Sequence, residues 1–235
     1  MIVQIEDVER LVIIHLIQVV FCLVFLFIAI KILKRHKNRL TWSLSSFYIL
    51  NGVGFIFAIG RLFFRVNPGM YILYSIALYL IFLSMIFLVL FNINLFKLDN
   101  ELSTKKLMLI ILFYAILIFS ILCVPNGFTV SEETNWFPVW SWTFLIIIYI
   151  FTAIVIVLPF TYYFFKIYKT FEDKKLKRKL ILFFIGFLGI ALGWYGGTLY
   201  NTWDNSIYRT IWPPIALINA LLSGCLIYYT WGREI

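Results

Sequence analysis

Residues 107–124, LMLIILFYAILIFSILCV, contain no charged side chain. Because an α-helix rises about 1.5 Å per residue, a run of this length nearly crosses the roughly 30 Å hydrocarbon core of a bilayer. The whole chain of 235 residues is 63% hydrophobic and 13% charged, whereas soluble domains are nearer half apolar and a quarter charged. The apolar blocks predict seven membrane-spanning helices, at about 9–33, 40–64, 70–96, 106–124, 140–168, 178–201 and 208–231.

The blocks are typical of helices rather than of the strands of a membrane barrel. They are too long for tilted strands, and they lack the alternation of apolar and polar residues that barrel strands carry. No linker or soluble domain interrupts them. We therefore predict an all-α, polytopic membrane domain that covers residues 1–235. Acidic residues precede the first block and no small-residue cleavage site follows it, so we expect a retained span rather than a signal peptide.

Basic residues are distributed unequally between the two sides of the predicted bundle. Segments 31–39, 97–106 and 166–179 and the C-terminal tail hold 16 of the 20 lysines and arginines. Since short cytoplasmic loops are enriched in Lys and Arg, this side is predicted to be cytoplasmic. Seven spans then put the N-terminus outside the cell and the C-terminus inside. The net charge of +9 is thereby accounted for, and a nucleic-acid partner is not expected.

Two nine-residue stretches suggest an internal repeat. Residues 76–84, IALYLIFLS, and 215–223, IALINALLS, are identical at five of nine positions. One interpretation is a parallel three-plus-one-plus-three arrangement, in which helix 106–124 joins the halves 9–96 and 140–231. The alternative is chance similarity between apolar helices that draw on a small set of residue types.

The residues that carry chemistry in membrane enzymes are almost absent from the spans. No Asp or Glu lies in the interior of a span, which argues against a carboxylate relay or a metal site. Cys22, Cys123 and Cys225 form no C-x-x-C pair. The two histidines, His15 and His36, fall on opposite sides of the predicted membrane and cannot hold one haem. We therefore expect no catalytic residue, no metal and no cofactor, and a protein that is not an enzyme.

Ionisable and aromatic residues gather near the predicted outer ends of spans one, two and six. They suggest a pocket for an amphipathic or anionic ligand, in which arginine pairs with the negative charge and aromatic rings contact the apolar part. Loop 125–139 would cover the outer opening of this pocket. The alternative is that His15 and Arg61 only reach toward the interface. The candidate ligand-binding residues are His15, Arg61, Arg65, Trp194, Tyr195, Tyr200, Asn201 and Asp204.

Glycines recur along span six at spacings of 3, 4 and 4, which places them on one face of a helix. In lipid such a face lets two helix backbones approach closely. We predict that it packs against another helix of the bundle or against a partner. The glycines are Gly186, Gly189, Gly193 and Gly197.

Two longer stretches carry a family resemblance: KILKRHKNRLTWSLSSFYILNGVGFIFAIGRLFFR, residues 31–65, and RKLILFFIGFLGIALGWYGGTLYNTWDNSIYRTIWPPIALINALLSGCLIYYTWGREI, residues 178–235. In their overall residue pattern these stretches resemble uncharacterised seven-span proteins from AT-rich archaeal genomes. The plan is also similar to the membrane-sensing regions of some prokaryotic signalling kinases. The resemblance implies a receptor-like protein whose output needs a separate protein, and it transfers no functional residue.

Three functions fit these features. The first is a receptor-like, sensor or scaffold protein that binds a ligand or partner through its aromatic outer end and its small-residue faces. The second is a small transporter or channel built as a parallel repeat, with Asn51, Asn92, Asn94 and Asn219 as neutral polar groups. The third is an accessory subunit of a larger membrane complex. The expected partners are membrane lipids and either another protein or a second copy of the chain.

Overall fold

The computed structural model describes residues 5–35, 38–63, 68–96, 103–134 and 136–233, without the side chains of residues 5–13 and of Leu62. It is all-α and 87% helical, and seven of its described segments are long and apolar enough to cross a membrane. The predicted class and number of spans are confirmed. The helices are α1 (Ile5–Leu33), α2 (Arg39–Gly60), α3 (Gly69–Phe96), α4 (Thr104–Leu122), α5 (Trp142–Thr152), α6 (Leu158–Thr170), α7 (Lys174–Thr202) and α8 (Ser206–Ile227).

Polar side chains start five of these helices. Each accepts a hydrogen bond from a backbone N–H in the first turn, which would otherwise have no partner. The capping residues are Asn38, Ser103, Ser141, Asp173 and Asn205. The last helix begins at Ser206, so Pro213 and Pro214 lie inside it rather than in its first turn.

Helices α5 and α6 form one continuous span through a wide π-helical segment, Ala153–Val157. Pro159 follows directly and has no N–H to donate, so the regular hydrogen-bond pattern is interrupted here. The buried Asn92 of α3 donates its amide to the Phe160 carbonyl at 3.1 Å. A second π-helical segment, Tyr228–Gly232, ends the last span.

Helix α3 is the innermost span, with 61% of its most apolar window buried, whereas α4 and the last span, Ser206–Gly232, reach only 17%. The core combines aliphatic side chains with many aromatic rings. The rings of Phe160 and Phe187 stack with centroids 3.5 Å apart. We call the end of the bundle that carries residues 123–141 the loop end. The opposite end, where α1 finishes and α7 begins among lysines, is the basic end.

The glycine face of α7 is largely covered by α8 of the same chain. A Cβ atom on Gly186 would come within 2.9 Å of Ile227 and 3.1 Å of the Ser223 carbonyl, and one on Gly189 would meet Ser223 Oγ. A Cβ on Gly193 would lie 3.0 Å from the Asn219 amide. Three of the four predicted packing glycines therefore serve the α7–α8 contact, and this part of the face is not open to a partner.

Gly197, the last glycine of the set, faces open space. Nothing lies within 4 Å of the position that its Cβ would take. In the other half of the chain, Gly54 of α2 packs against Ala77 and Ile81 of α3 in the way that Gly186 packs against α8. Each predicted half thus contains a closely packed helix pair, α2–α3 in the first and α7–α8 in the second. The halves differ in their remaining helices, because α1 also packs closely along α2, whereas α5 and α6 contact α7 only sparsely. The repeat stays a prediction.

Candidate functional site

A cavity of about 180 Å³ lies at the loop end of the bundle, next to Gly197. Its walls come from α1, α2, α3, α7, α8 and the loop before α5. Most of the surface is apolar, with a few polar groups among hydrophobic and aromatic side chains, as is usual for ligand sites. The lining residues are Ile14, Ile17, Gln18, Phe21, Phe55, Arg61, Tyr74, Phe137, Pro138, Gly197, Tyr200, Asn201, Trp212, Pro213 and Ala216.

Arg61 is the cationic group of this cavity. Helix α2 ends at Gly60, and Arg61 opens the short 3₁₀ turn Arg61–Phe63, which turns its side chain back into the bundle. The residue is only 3% exposed, and its guanidinium carbon lies 5.2 Å from the centre of the Tyr74 ring. Its Nε and Nη1 atoms are buried and find no hydrogen-bond partner in the described part of the chain. Arginine stays protonated in proteins, so the charge is buried as well.

No carboxylate among the described side chains lines the cavity. Asp204 lies at the same end, but it is exposed and forms an ion pair with Arg209. A buried ion without a partner is destabilising by several kcal/mol, of the order of the penalty that a salt bridge must offset. The cavity therefore holds a positive charge that the described part of the chain does not neutralise.

Trp212 adds a second donor without a partner. Its indole Nε1 is buried and makes no hydrogen bond to any described residue. The ring lies directly over Gly196, where a Cβ atom would come within 1.8 Å of it, and it stacks on Tyr208 at 5.6 Å. Tyr208 in turn donates its hydroxyl to the Gly196 carbonyl at 2.9 Å. The absence of a side chain at Gly196 thus positions the indole at the cavity.

Tyr74 connects the cavity to the loop. Its hydroxyl oxygen accepts hydrogen bonds from Trp140 Nε1 at 2.8 Å and from Asn201 Nδ2 at 3.5 Å. Trp140 belongs to a short antiparallel pair of strands, β1 (Phe128–Thr129) and β2 (Val139–Trp140), in which it pairs with Phe128. Both aromatic residues are buried, and Phe137 and Pro138 reach the cavity wall. The loop therefore covers the mouth of the bundle, as the sequence predicts.

No family model, curated protein or solved structure matches this chain. The chemistry of the site must therefore be inferred from its own atoms. Arg61 and Trp212 supply N–H donors, whereas Gln18 is the one lining residue with a buried oxygen that lacks a partner in the described part of the chain. Gln18 can present either end of its amide. A cavity rich in donors and lined by apolar groups suits an anion that is attached to an apolar body.

The structure brings together part of the predicted pocket. Arg61, Tyr200 and Asn201 line the cavity, together with Gly197, which was predicted for packing. His15 is buried on α1 but is not part of the cavity wall. Arg65 lies outside the described residues.

Three predicted residues lie elsewhere. Trp194 sits one turn deeper along α7, where its ring makes a T-shaped contact with the Phe82 ring and the two ring centroids are 4.1 Å apart. Tyr195 points toward α5, where Thr152 donates to its hydroxyl at 3.1 Å. Asp204 is held at the surface by Arg209. A helix turns about 100° per residue, which sends Tyr195 to a different neighbour from Trp194. Trp194 lies too deep along α7 to reach the cavity, and Asp204 lies beyond the end of α7 at Thr202.

Sequence reasoning missed Gln18, Tyr74 and Trp212. The sequence did contain a signal for Gln18. His15, Gln18 and Cys22 are spaced 3 and 4 apart, which places these polar or thiol side chains on one face of an apolar helix,. Tyr74 carries no such signal among 14 tyrosines. Its role depends on contacts with Trp140 and Asn201, which are separated from it in the sequence by 66 and 127 positions.

Proposed function

We propose that this chain is a non-enzymatic, multi-pass protein of the cell membrane that binds a small amphipathic anion at the loop end, as a receptor or sensor does. The observation that carries the proposal is Arg61. It is only 3% exposed and lines the cavity, and two of its nitrogens have no partner among the described residues. Buried charges in proteins are normally paired, so a bound anion is the missing partner.

The distribution of basic residues supports a cavity that faces the outside of the cell. The lysine-rich side carries 16 of 20 basic residues, and the positive-inside rule assigns it to the cytoplasm. The N-terminus is then extracellular and the C-terminus cytoplasmic. Ligand binding at the outer end would be communicated to the cytoplasmic loops through the helices that meet at the cavity.

Transport receives less support than binding. The neutral polar residues that a transport path would use are engaged in contacts between or within helices. Asn51 donates to the Phe47 carbonyl and to Ser84 Oγ at 2.6 Å, while Asn219 donates to the Gly189 carbonyl. Neither asparagine lines the cavity. A scaffold function through the α7 glycines is also less favoured, because α8 covers three of them.

Native mass spectrometry of the gently extracted protein tests this proposal. We expect the wild type to retain a small anionic molecule, and we expect Gly197→Leu to lose it because the leucine side chain enters the cavity. Gly60→Leu is the matched control, since nothing lies within 4 Å of a Cβ at either glycine and Gly60 is not part of the cavity wall. Equal retention of the molecule by both variants would rule out this cavity as its site.

A further inference from the structure

The loop-end half of α8 packs loosely against the bundle. The buried residues of this helix are Ser223, Gly224 and Ile227, so no residue from Ser206 to Leu222 is buried. Helices α1 and α8 meet closely farther along, where a Cβ on Gly224 would lie 3.2 Å from Phe25. Tyr48 of α2 strengthens that contact, because its hydroxyl donates to the Gly224 carbonyl at 2.8 Å.

Toward the loop end the cavity itself separates α1 from α8. Ile17 and Gln18 of α1 line one side of it, and Trp212 and Ala216 of α8 line another. The cavity thus lies between the two helices at a level where Trp212 and Tyr208 of α8 contact Gly196 of α7. We infer from this arrangement a lateral gap between α1 and α8, through which a ligand enters the cavity.

The residues beside this gap are apolar and exposed. Leu16 and Val19 on α1 are 63% and 38% exposed, and Ile211 and Ile215 on α8 are 51% and 46% exposed. In a membrane-spanning helix such side chains contact lipid acyl chains rather than water. The gap therefore opens toward the bilayer, and an apolar chain that leaves the cavity there stays in an apolar surrounding.

Volume and charge narrow the class of ligand. The cavity of about 180 Å³ is smaller than the roughly 300–1,000 Å³ of sites that enclose a whole drug-sized molecule, so it holds only one end of a lipid. Among the described side chains, Arg61 is the cationic residue on its wall. One guanidinium balances one negative charge, whereas a phosphate monoester brings about −1.5 to −2 at neutral pH. An excess charge in an apolar cavity is unfavourable.

We propose that the ligand is a single-chain lipid monoanion of the fatty-acid class, with its carboxylate on Arg61 and Trp212 and its chain leaving between α1 and α8. Arginine pairs with carboxylates through parallel N–H···O bonds, and the indole N–H of Trp212 supplies a further donor. This assignment rests on the proposed function and adds to it the nature of the ligand and its route of entry.

Thermal unfolding of the protein in zwitterionic lipid nanodiscs tests the assignment with defined probes: acetate, octanoate, dodecanoate, dodecanol and dodecyl phosphate. We expect dodecanoate to raise the Tm of the wild type but not of Arg61→Met. Its apparent affinity should exceed that of octanoate roughly 200-fold, since four methylene groups add about 0.8 kcal/mol each. Acetate and dodecanol should have no Arg61-dependent effect, and dodecyl phosphate should act more weakly than dodecanoate.

The outcomes separate the two proposals. If acetate stabilises the wild type as well as dodecanoate does, the ligand is a small water-borne anion and the lipid assignment fails, while anion binding at Arg61 stands. If no probe distinguishes the wild type from Arg61→Met, both proposals fail.

The lateral gap has its own test. Ala216→Phe places a ring in the gap, and we expect it to weaken dodecanoate binding at least tenfold. Ala220→Phe is the control on the same helix, because Ala220 is not part of the cavity wall. Equal dodecanoate binding by the two variants would overturn the proposed route.

Discussion

Arg61→Met is expected to abolish ligand binding while leaving the ligand-free protein at least as stable as the wild type. Removing one partner of a buried, hydrogen-bonded charge pair costs about 2 kcal/mol or more, so affinity should fall about 30-fold or further. Without ligand the same guanidinium is an unpaired buried charge, and replacing it with an apolar side chain of similar length removes an unfavourable desolvation. The lost contact with Tyr74 offsets only about 0.5–2 kcal/mol of that gain.

Two measurements check this result: ligand retention in native mass spectrometry and the Tm of the ligand-free protein in nanodiscs. Arg209→Met is the matched control, because Arg209 lies at the same end but is already paired with the exposed Asp204. It should leave ligand binding unchanged. A drop of several degrees in the Tm of ligand-free Arg61→Met would show that Arg61 serves the fold, and it would remove the main support for the binding site.

Gly186→Leu is expected to have the largest effect on stability. A Cβ at this position already lies 2.9 Å from Ile227 and 3.1 Å from the backbone carbonyl of Ser223, and the remaining leucine atoms have no free volume to enter. Overpacking of a close contact is destabilising by about 1–3 kcal/mol, and backbone atoms cannot move aside as a flexible side chain can. We expect a loss of about 2 kcal/mol or more, which corresponds to a Tm lower by about 4–8 °C.

The control for this substitution lies on the same helix. Gly197→Leu adds the same side chain where nothing lies within 4 Å of the new Cβ, and helix propensity favours leucine over glycine by roughly 0.5–1 kcal/mol. Its Tm should equal or exceed that of the wild type when both are free of ligand. Equal Tm values for Gly186→Leu and the wild type would show that α7 and α8 are not in close contact at this level.

Gly186 and Gly197 lie on the same face of α7, but substitutions at the two positions are expected to affect different properties, stability in one case and ligand binding in the other. Gly186 lets α8 approach α7, and Gly197 leaves room beside Arg61. A substitution at the first should weaken the fold, and one at the second should block the ligand. The sequence alone assigns both residues to packing, because their spacing on the helix is equivalent.

Local sequence signals predicted the elements of this fold well. Long apolar runs correspond to the spans, and residues such as Asn38 and Ser141 cap helices where a polar side chain precedes an apolar run. These features depend on neighbours within a few positions along the chain. Of the ionisable and aromatic residues that the sequence placed together near one end of the bundle, Arg61, Tyr200 and Asn201 do line one cavity.

The sequence by itself determined how many segments leave water, because transfer of an apolar run into lipid depends on composition and length. Only the tertiary structure decided which faces meet. Leu44 is fully buried between helices, whereas Leu112 is 57% exposed, although both lie in apolar spans. In lipid the outward face of a helix is as apolar as its packed face, so hydrophobicity does not distinguish them. Long-range contacts alone therefore bring Trp212 to the cavity and turn Tyr195 away from it.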